Sequence, residues 1–410
     1  MYILYAPPSK FGKLPSRCFP VSHEVEFTHN IAYCPKFYWK KHHELVGMKD
    51  ITPRYMRKLR QNRHLDNILL IATGGLGDAM WCLPFAKELK NKYPKAKIVI
   101  AADKRCEPLF RNLPYIAGVV SQKAWNLSQL IRVSDEVYDF AGIATILKKE
   151  KRLDPIEATF KLGELPLPKE KARCRPHLVA TLDEGKKAES ILAQHGISTW
   201  DDTIITIALD SSTPNRNWPY HYTQQLTNTL LAEGKKVVWL SEKKDLSNTY
   251  IFSCPCGWEM SMTLTTIPAK ADFTCPICGN ILQIKEFKQP YGVANLCGQT
   301  DIRTAMAIIA LSDAFIGPNS GLMVISTAFK IPSIGLFGAF SPTLRAKFYE
   351  HFTPIWGKTP CAPCNEHWTE CPHGHPAPCM KIISPDKVHT ELKKLLTKYP
   401  RTALERNPIQ

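Results

Sequence analysis

Ile68-Leu69-Leu70-Ile71-Ala72-Thr73-Gly74-Gly75-Leu76-Gly77-Asp78 decides how this chain is read. Five apolar residues in a row, with no polar alternation, mark a strand covered on both faces, as in a parallel sheet. The glycines at 74, 75 and 77 turn the chain, and the residues beyond them run helically to about residue 92. Lys97-Ile98-Val99-Ile100-Ala101 is the next strand. Strand, glycine turn, helix and strand within about 35 residues make a βαβ unit. A second α/β series starts near residue 203. It has strands at 204–209 and 236–240, a helix at 222–233 ending at Gly234, and a helix at 305–311. The strands 314–317 and 333–338 flank a helix at 321–329. Two consecutive doubly wound domains facing an interdomain cleft follow from that order, with the cleft as the default ligand site.

The chain has 410 residues, enough for two or three domains. Its 44% apolar and 22% charged residues exclude wholesale disorder and fibrous classes. A net charge of +16 implies an acidic partner: nucleic acid, a phosphorylated substrate or anionic lipid. Of that charge, +7 lies in residues 1–66, where twelve Lys and Arg face five acids and Phe37, Tyr38 and Trp39 are interleaved. This basic extension reads either as a cap on the first domain or as an arm for phosphate backbones or an anionic surface. The remaining segments are 67–185 and 200–390 as the two domains, with an insert at 248–289 and a tail at 391–410. The apolar runs fall well short of the roughly 18 residues that span a bilayer, so a cytoplasmic protein is expected. A reducing cytosol leaves metal ligation or burial, rather than disulfides, for the 14 cysteines.

Cys254-Pro255-Cys256-Gly257 and Cys275-Pro276-Ile277-Cys278-Gly279 are two tight pairs 18 residues apart. Two thiol pairs on glycine-relieved turns are how a zinc ribbon builds a tetrahedral four-thiolate site, so structural zinc is expected in this insert. The alternative is a set of unmetallated buried thiols. A second cluster, Cys361, Cys364, Cys371 and Cys379 with His367, His373 and His375 between, reads as a further metal site or as thiols packing a C-terminal loop.

Several segments together resemble glycosyltransferase family 9, the heptosyltransferases of the lipopolysaccharide inner core. They are the glycine turn with Asp78, Arg216-Asn217-Trp218-Pro219, Gly317-Pro318-Asn319-Ser320-Gly321 through Phe337-Gly338, and the loop from Cys361 to Cys379 followed by Ile383-Ser384-Pro385-Asp386-Lys387-Val388. The resemblance spans roughly 66–390 and omits the extension and the ribbon. It implies a GT-B fold of two Rossmann-like domains, an acceptor bound by the first and a nucleotide-sugar donor by the second, and inversion without an obligatory catalytic metal. By that resemblance Asp78 is similar to the family's general base, with Gly74, Gly75 and Gly77 on the acceptor side; locally, Asp78 suits a helix-capping carboxylate equally well. Asn319, Ser320 and Gly321 open a helix whose amides and hydroxyl suit a diphosphate. Arg216 stands where the family has Lys and would neutralise charge on the leaving nucleotide; otherwise it is a loop arginine. Trp218 either packs or stacks on a base. The family has Asp where Asn319 stands and His where Val324 stands.

The function expected is an inverting glycosyltransferase acting from a nucleotide sugar on a lipopolysaccharide or other surface glycan. The alternatives are a phage-type enzyme glycosylating a hydroxylated base in DNA, suggested by the basic extension and the ribbon, and an inactive nucleic-acid-binding scaffold.

Overall fold

In a computed structural model of the chain, residues 65–72, 74–122, 127–140, 143, 147, 153–242, 249–256, 259–263, 273–275, 278–286, 289–364, 371–373 and 377–401 are described, with three short strands before them. Those strands, β1 (Tyr2–Tyr5), β2 (Ile31–Cys34) and β3 (Lys49–Asp50), form an antiparallel sheet in the order β2-β1-β3. The rest of the basic extension up to residue 64, and with it the expectation of a phosphate-binding arm, lies outside the described residues. The chain divides into two units, Met1–Pro176 and His177–Gln410.

In the first unit, β4 (Asn67–Ile71), β5 (Lys97–Ala102), β6 (Gly118–Ser121) and β7 (Glu136–Asp139) make a parallel sheet ordered β6-β5-β4-β7. The chain steps outward from β4 and then returns to its other side, so the winding reverses between β4 and β7. Side chains Ile68, Leu69, Leu70 and Ile71 are at most 1% exposed, as a strand sandwiched between helices requires. Two helices follow β4 directly: α1 (Leu76–Met80) and α2 (Cys82–Lys92). Phe85 of α2 meets Tyr138, Phe140 and Phe160 edge-on at 4.9, 5.4 and 5.5 Å. Phe160 belongs to α4 (Pro155–Leu162), which comes after α3 (Leu127–Val133). Asp154 caps α4 reciprocally with Glu157, and Pro155 takes the first helical position, where no amide hydrogen is needed.

The unit boundary falls nine residues before the end of the 67–185 segment expected from sequence. The helix α5 (Leu182–Gln194) is joined to the second unit through Glu184, which also completes a capping box with Thr181. Arg303, on α7 (Ile302–Leu311), gives its Nε to Glu184 Oε1 at 2.7 Å and an Nη2 hydrogen to the Val179 carbonyl at 2.8 Å. Burial opposes ionisation of Glu184, but the Arg303 and Thr181 hydrogen bonds outweigh it and hold the carboxyl below its usual range.

The second unit has β8 (Ile204–Ala208), helix α6 (Tyr220–Ala232), β9 (Lys236–Leu240), β13 (Ala294–Asn295), β14 (Ala314–Pro318), helix α8 (Gly321–Ala328), β15 (Ser333–Phe337) and β16 (Phe352–Trp356). Its six strands are all parallel in the order β13-β9-β8-β14-β15-β16, the doubly wound 3-2-1-4-5-6 arrangement. Every residue of β8, β14 and β15 is buried, so the apolar runs read from sequence are central strands. The strand β16 escapes a sequence reading because it is an edge: Pro354 lacks an amide hydrogen and Phe352, Thr353 and Pro354 are only partly covered or exposed. Between β9 and β13 the chain inserts a three-stranded antiparallel ribbon, β10 (Thr249–Ser253), β11 (Glu259–Thr263) and β12 (Gln283–Glu286), ordered β11-β10-β12. The last helices among the described residues are the one-turn α9 (Pro378–Lys381) and α10 (Pro385–Lys398). The latter buries Val388, Leu392 and Leu395 and runs well past 390, so the residues just beyond 390 are helix and not a separate tail.

Candidate functional site

In a doubly wound sheet the ligand crevice lies at the carboxyl ends of the strands, where the winding reverses. In the second unit that point lies between β8 and β14, and the loops leaving these two strands carry Arg216 and Asn319. Arg216 is 8% exposed, and each of its three nitrogens is held by the protein. Nε donates to Thr213 Oγ1 at 2.7 Å, Nη2 to Ser212 Oγ at 2.8 Å and Nη1 to the Asn319 carbonyl at 2.6 Å. Residues 103 apart in sequence are thus clamped together. A loop arginine with no structural role would be exposed and mobile; this one is a built fixture.

Ser320 caps α8 with extended backbone angles, φ −143° and ψ 175°, and its side chain makes no capping bond. Its Oγ is buried and has no hydrogen-bond partner among the described residues. A buried hydroxyl left unsatisfied costs about 1–3 kcal/mol, so an acceptor brought by a ligand is favoured there. The amides of the first helical turn and the Arg216 charge add attraction for an anion at the same place. Val324 is 3% exposed and belongs to the core, and Trp218 is 2% exposed. The Trp218 indole donates to the Ile383 carbonyl at 2.8 Å and tilts against Tyr222, which makes it a packing residue and not a base platform.

In the first unit the reversal lies between β4 and β7, and the glycine turn leaves β4 at that point. Gly74 has φ +94°, a conformation that side chains resist, and a Cβ there would sit 2.5 Å from Asp78 Oδ2. The same oxygen accepts the Gly75 amide at 3.0 Å. Asp78 therefore performs the capping role, while remaining exposed. Gly77 lies within α1, one residue before it. Beneath the turn, the Cys106 thiol approaches the Gly74 carbonyl at 3.9 Å; burial, with Asp103 nearby, pushes its pKa up to about 11.

The ribbon brings Cys254, Cys256, Cys275 and Cys278 together, with all four sulfurs within 4.8 Å of one another. Cys254 and Cys278 are 3.4 Å apart and Cys256 and Cys275 3.6 Å. Tetrahedral zinc with bonds of about 2.3 Å would set neighbouring sulfurs about 3.8 Å apart, so the cage fits such an ion. Phe252 and Leu282 bury the inner pair, with Tyr250, Phe273 and Ile284 packed around them. Of the second cluster, Cys361, Cys364, Cys371 and Cys379 line one pocket together with Asn215 and Ala339. Burial, reinforced by the other three thiols, pushes the Cys379 pKa up to about 12. Among the described residues, only the ribbon cysteines gather as tightly as a metal needs; His367 and His375 lie outside the described residues. Gly338 abuts this pocket, since a Cβ there would meet Cys379 Sγ at 2.6 Å.

Residues 280–374 match the glycosyltransferase family 9 (heptosyltransferase) pattern. The chain is 37% identical over 176 residues to lipooligosaccharide heptosyltransferase 2 of Campylobacter jejuni, a match covering 41% of this chain and 54% of that protein. To the protein of the same name from Haemophilus ducreyi it is 23% identical over 323 residues, covering 67% of this chain and 84% of the relative. The structure resembles E. coli ADP-heptose lps heptosyltransferase II with a TM-score of 0.56 at 19% identity, covering 81% of this chain and 99% of that one. The match to the Campylobacter relative thus spans about half of that protein's length. The fold is the GT-B fold expected from sequence. Neither these relatives nor the described residues support a DNA acceptor or contact with an anionic surface. No described helix is long and apolar enough to cross a membrane.

Proposed function

We propose, from the premise that this chain has the GT-B fold and the family 9 pattern of residues 280–374, that it is an inverting glycosyltransferase. It moves a sugar from a nucleotide-sugar donor to a hydroxyl of a lipooligosaccharide or lipopolysaccharide core, the glycans for which its relatives are named. The unsatisfied Ser320 hydroxyl at the start of α8, beside an Arg216 locked onto Asn319, is the observation that supports a donor diphosphate there. Arg216 and the α8 amides stabilise the negative charge that develops on the departing nucleoside diphosphate. Asp78 accepts the proton of the acceptor hydroxyl as it attacks the anomeric carbon in line. Asn319 and Val324 replace the Asp and His of the family pattern, so the donor sugar is a matter for a panel and is not carried over from the relatives.

The test is release of nucleoside diphosphate from ADP-, UDP-, GDP- and CDP-sugars by the purified chain, with and without lipid A–core oligosaccharide. Acceptor-stimulated release from at least one donor is expected. Absence of release from every donor would reduce the protein to a scaffold.

The ribbon thiolates hold zinc in a purely structural site, because four sulfurs leave no open position for a substrate. The Cys254→Ser/Cys278→Ser chain is expected to lose about one zinc equivalent relative to wild type by elemental analysis. A Cys364→Ser/Cys371→Ser chain measured alongside separates the two clusters. Unchanged zinc in the ribbon variant contradicts the assignment.

A further inference from the structure

The loop between β8 and α6 holds Arg216 together with two of its three partners, Ser212 and Thr213. The third partner, Asn319, stands on the loop leaving β14. The place of the guanidinium against Asn319 and the neighbouring Ser320 thus depends on the shape of the β8 loop. A tight turn over Pro214–Arg216 sets part of that shape. In it the Arg216 amide donates to the Thr213 carbonyl at 3.2 Å and the Asn217 amide to the Pro214 carbonyl at 2.9 Å.

One side chain closes the turn at its ends. Asn217 Oδ1 accepts the Ser211 amide at 2.8 Å and lies 3.0 Å from the Ser211 hydroxyl, which also reaches the Thr213 carbonyl at 2.8 Å. A backbone amide can only donate, so the Asn217 atom facing it is the carbonyl oxygen. Residues 211 and 217 bracket Arg216 and both of its loop partners, and their pairing fastens the arginine-bearing segment into a ring. The core anchors that ring on both sides. The Leu209 amide donates to the Leu240 carbonyl at 3.0 Å, and the buried Trp218 indole donates to Ile383. An arginine side chain loses rotamer freedom when it is fixed, and a closed loop meets that cost before a ligand arrives. We infer that Asn217 is a positioning residue that holds Arg216 in register with Asn319 and Ser320 by latching its loop at Ser211. This role rests on the donor site proposed above and adds to it a residue that need not touch the donor.

The test is calorimetric binding of ADP, UDP, GDP and CDP to the full chain, in wild-type and Arg216→Lys backgrounds. In the wild-type background Asn217→Ala is expected to weaken the preferred diphosphate about tenfold. Ser211→Ala, which keeps the amide bond to Asn217, should weaken it about threefold. A lysine in place of Arg216 has no fork to keep in register, so in that background each change should cost about twofold or less. A purely structural role would cost the same in either background. Equal costs in the two backgrounds therefore contradict the positioning role, as does wild-type affinity in Asn217→Ala. Should Asn217→Ala fail to fold, the Ser211→Ala comparison decides alone. If wild type binds no nucleoside diphosphate, the donor site itself is wrong and the latch falls with it. If wild type binds one and Asn217→Ala binds it equally well, the donor site stands and only the latch is removed.

Discussion

Asp78→Asn is expected to lower kcat by about 10²–10⁴-fold, the usual worth of a positioned general base, with little change in thermal stability. The two outcomes separate because Asp78 caps the turn and, in the proposed mechanism, also serves as the base. As a cap it accepts the Gly75 amide at 3.0 Å, and an asparagine carbonyl oxygen can accept the same bond. As a base it must take a proton, which an amide cannot do. Asp78→Ala removes both, and should add a loss of about 1 kcal/mol of stability to the loss of turnover. Steady-state kinetics with the donor and acceptor found by the panel, paired with thermal melts of all three proteins, check this. An Asp78→Asn enzyme with wild-type kcat would leave Asp78 a capping residue and nothing more.

Arg216→Ala is the second large effect, expected in both stability and chemistry. The guanidinium links Ser212, Thr213 and Asn319, so its removal undoes three hydrogen bonds and leaves the Asn319 carbonyl without this donor. Hydrogen bonds to charged groups contribute about 1.5–3 kcal/mol each but are not additive, so a net loss of about 2–4 kcal/mol is expected. The charge proposed to offset the leaving diphosphate goes as well, which should cost about 10²–10³-fold in kcat/KM. Arg216→Lys, the residue of the family pattern, keeps the charge and loses the fork. It should restore most of the chemistry and little of the stability, because one ammonium cannot span all three partners. Chemical denaturation and kcat/KM on the same preparations separate the two losses. Equal recovery of both in the lysine variant would mean that the clamp geometry carries no weight.

Much of the framework was legible from residue order. Ile68 to Ile71 and 314–317 are unbroken apolar runs, and such runs have few uses in a globular domain other than a strand covered on both faces. The thiol pairs at 254/256 and 275/278 could be read because metal ligation imposes short spacings within each turn. Less was legible at edges and joints. The two-residue strand β13 and the proline-bearing β16 lack a complete pattern because edge strands are only half covered. The first segment expected from sequence ended at residue 185, inside helix α5, whereas an ion pair to Arg303, 119 residues after Glu184, joins the helix to the second unit.

Local sequence by itself determined the βαβ character of both halves, the turn at Gly74 and the ribbon insert, because each depends on backbone conformation or ligation within a few residues. Only the tertiary structure decided where the chemistry collects. The strand order puts the reversal between β8 and β14, and this alone brings Arg216 to Asn319 and leaves the Ser320 hydroxyl beside them. It also buried Trp218 under Ile383 and stacked Arg345 on Phe340. None of these contacts leaves a periodic trace in the sequence, because they join loops whose residues are chosen one at a time by partners far along the chain.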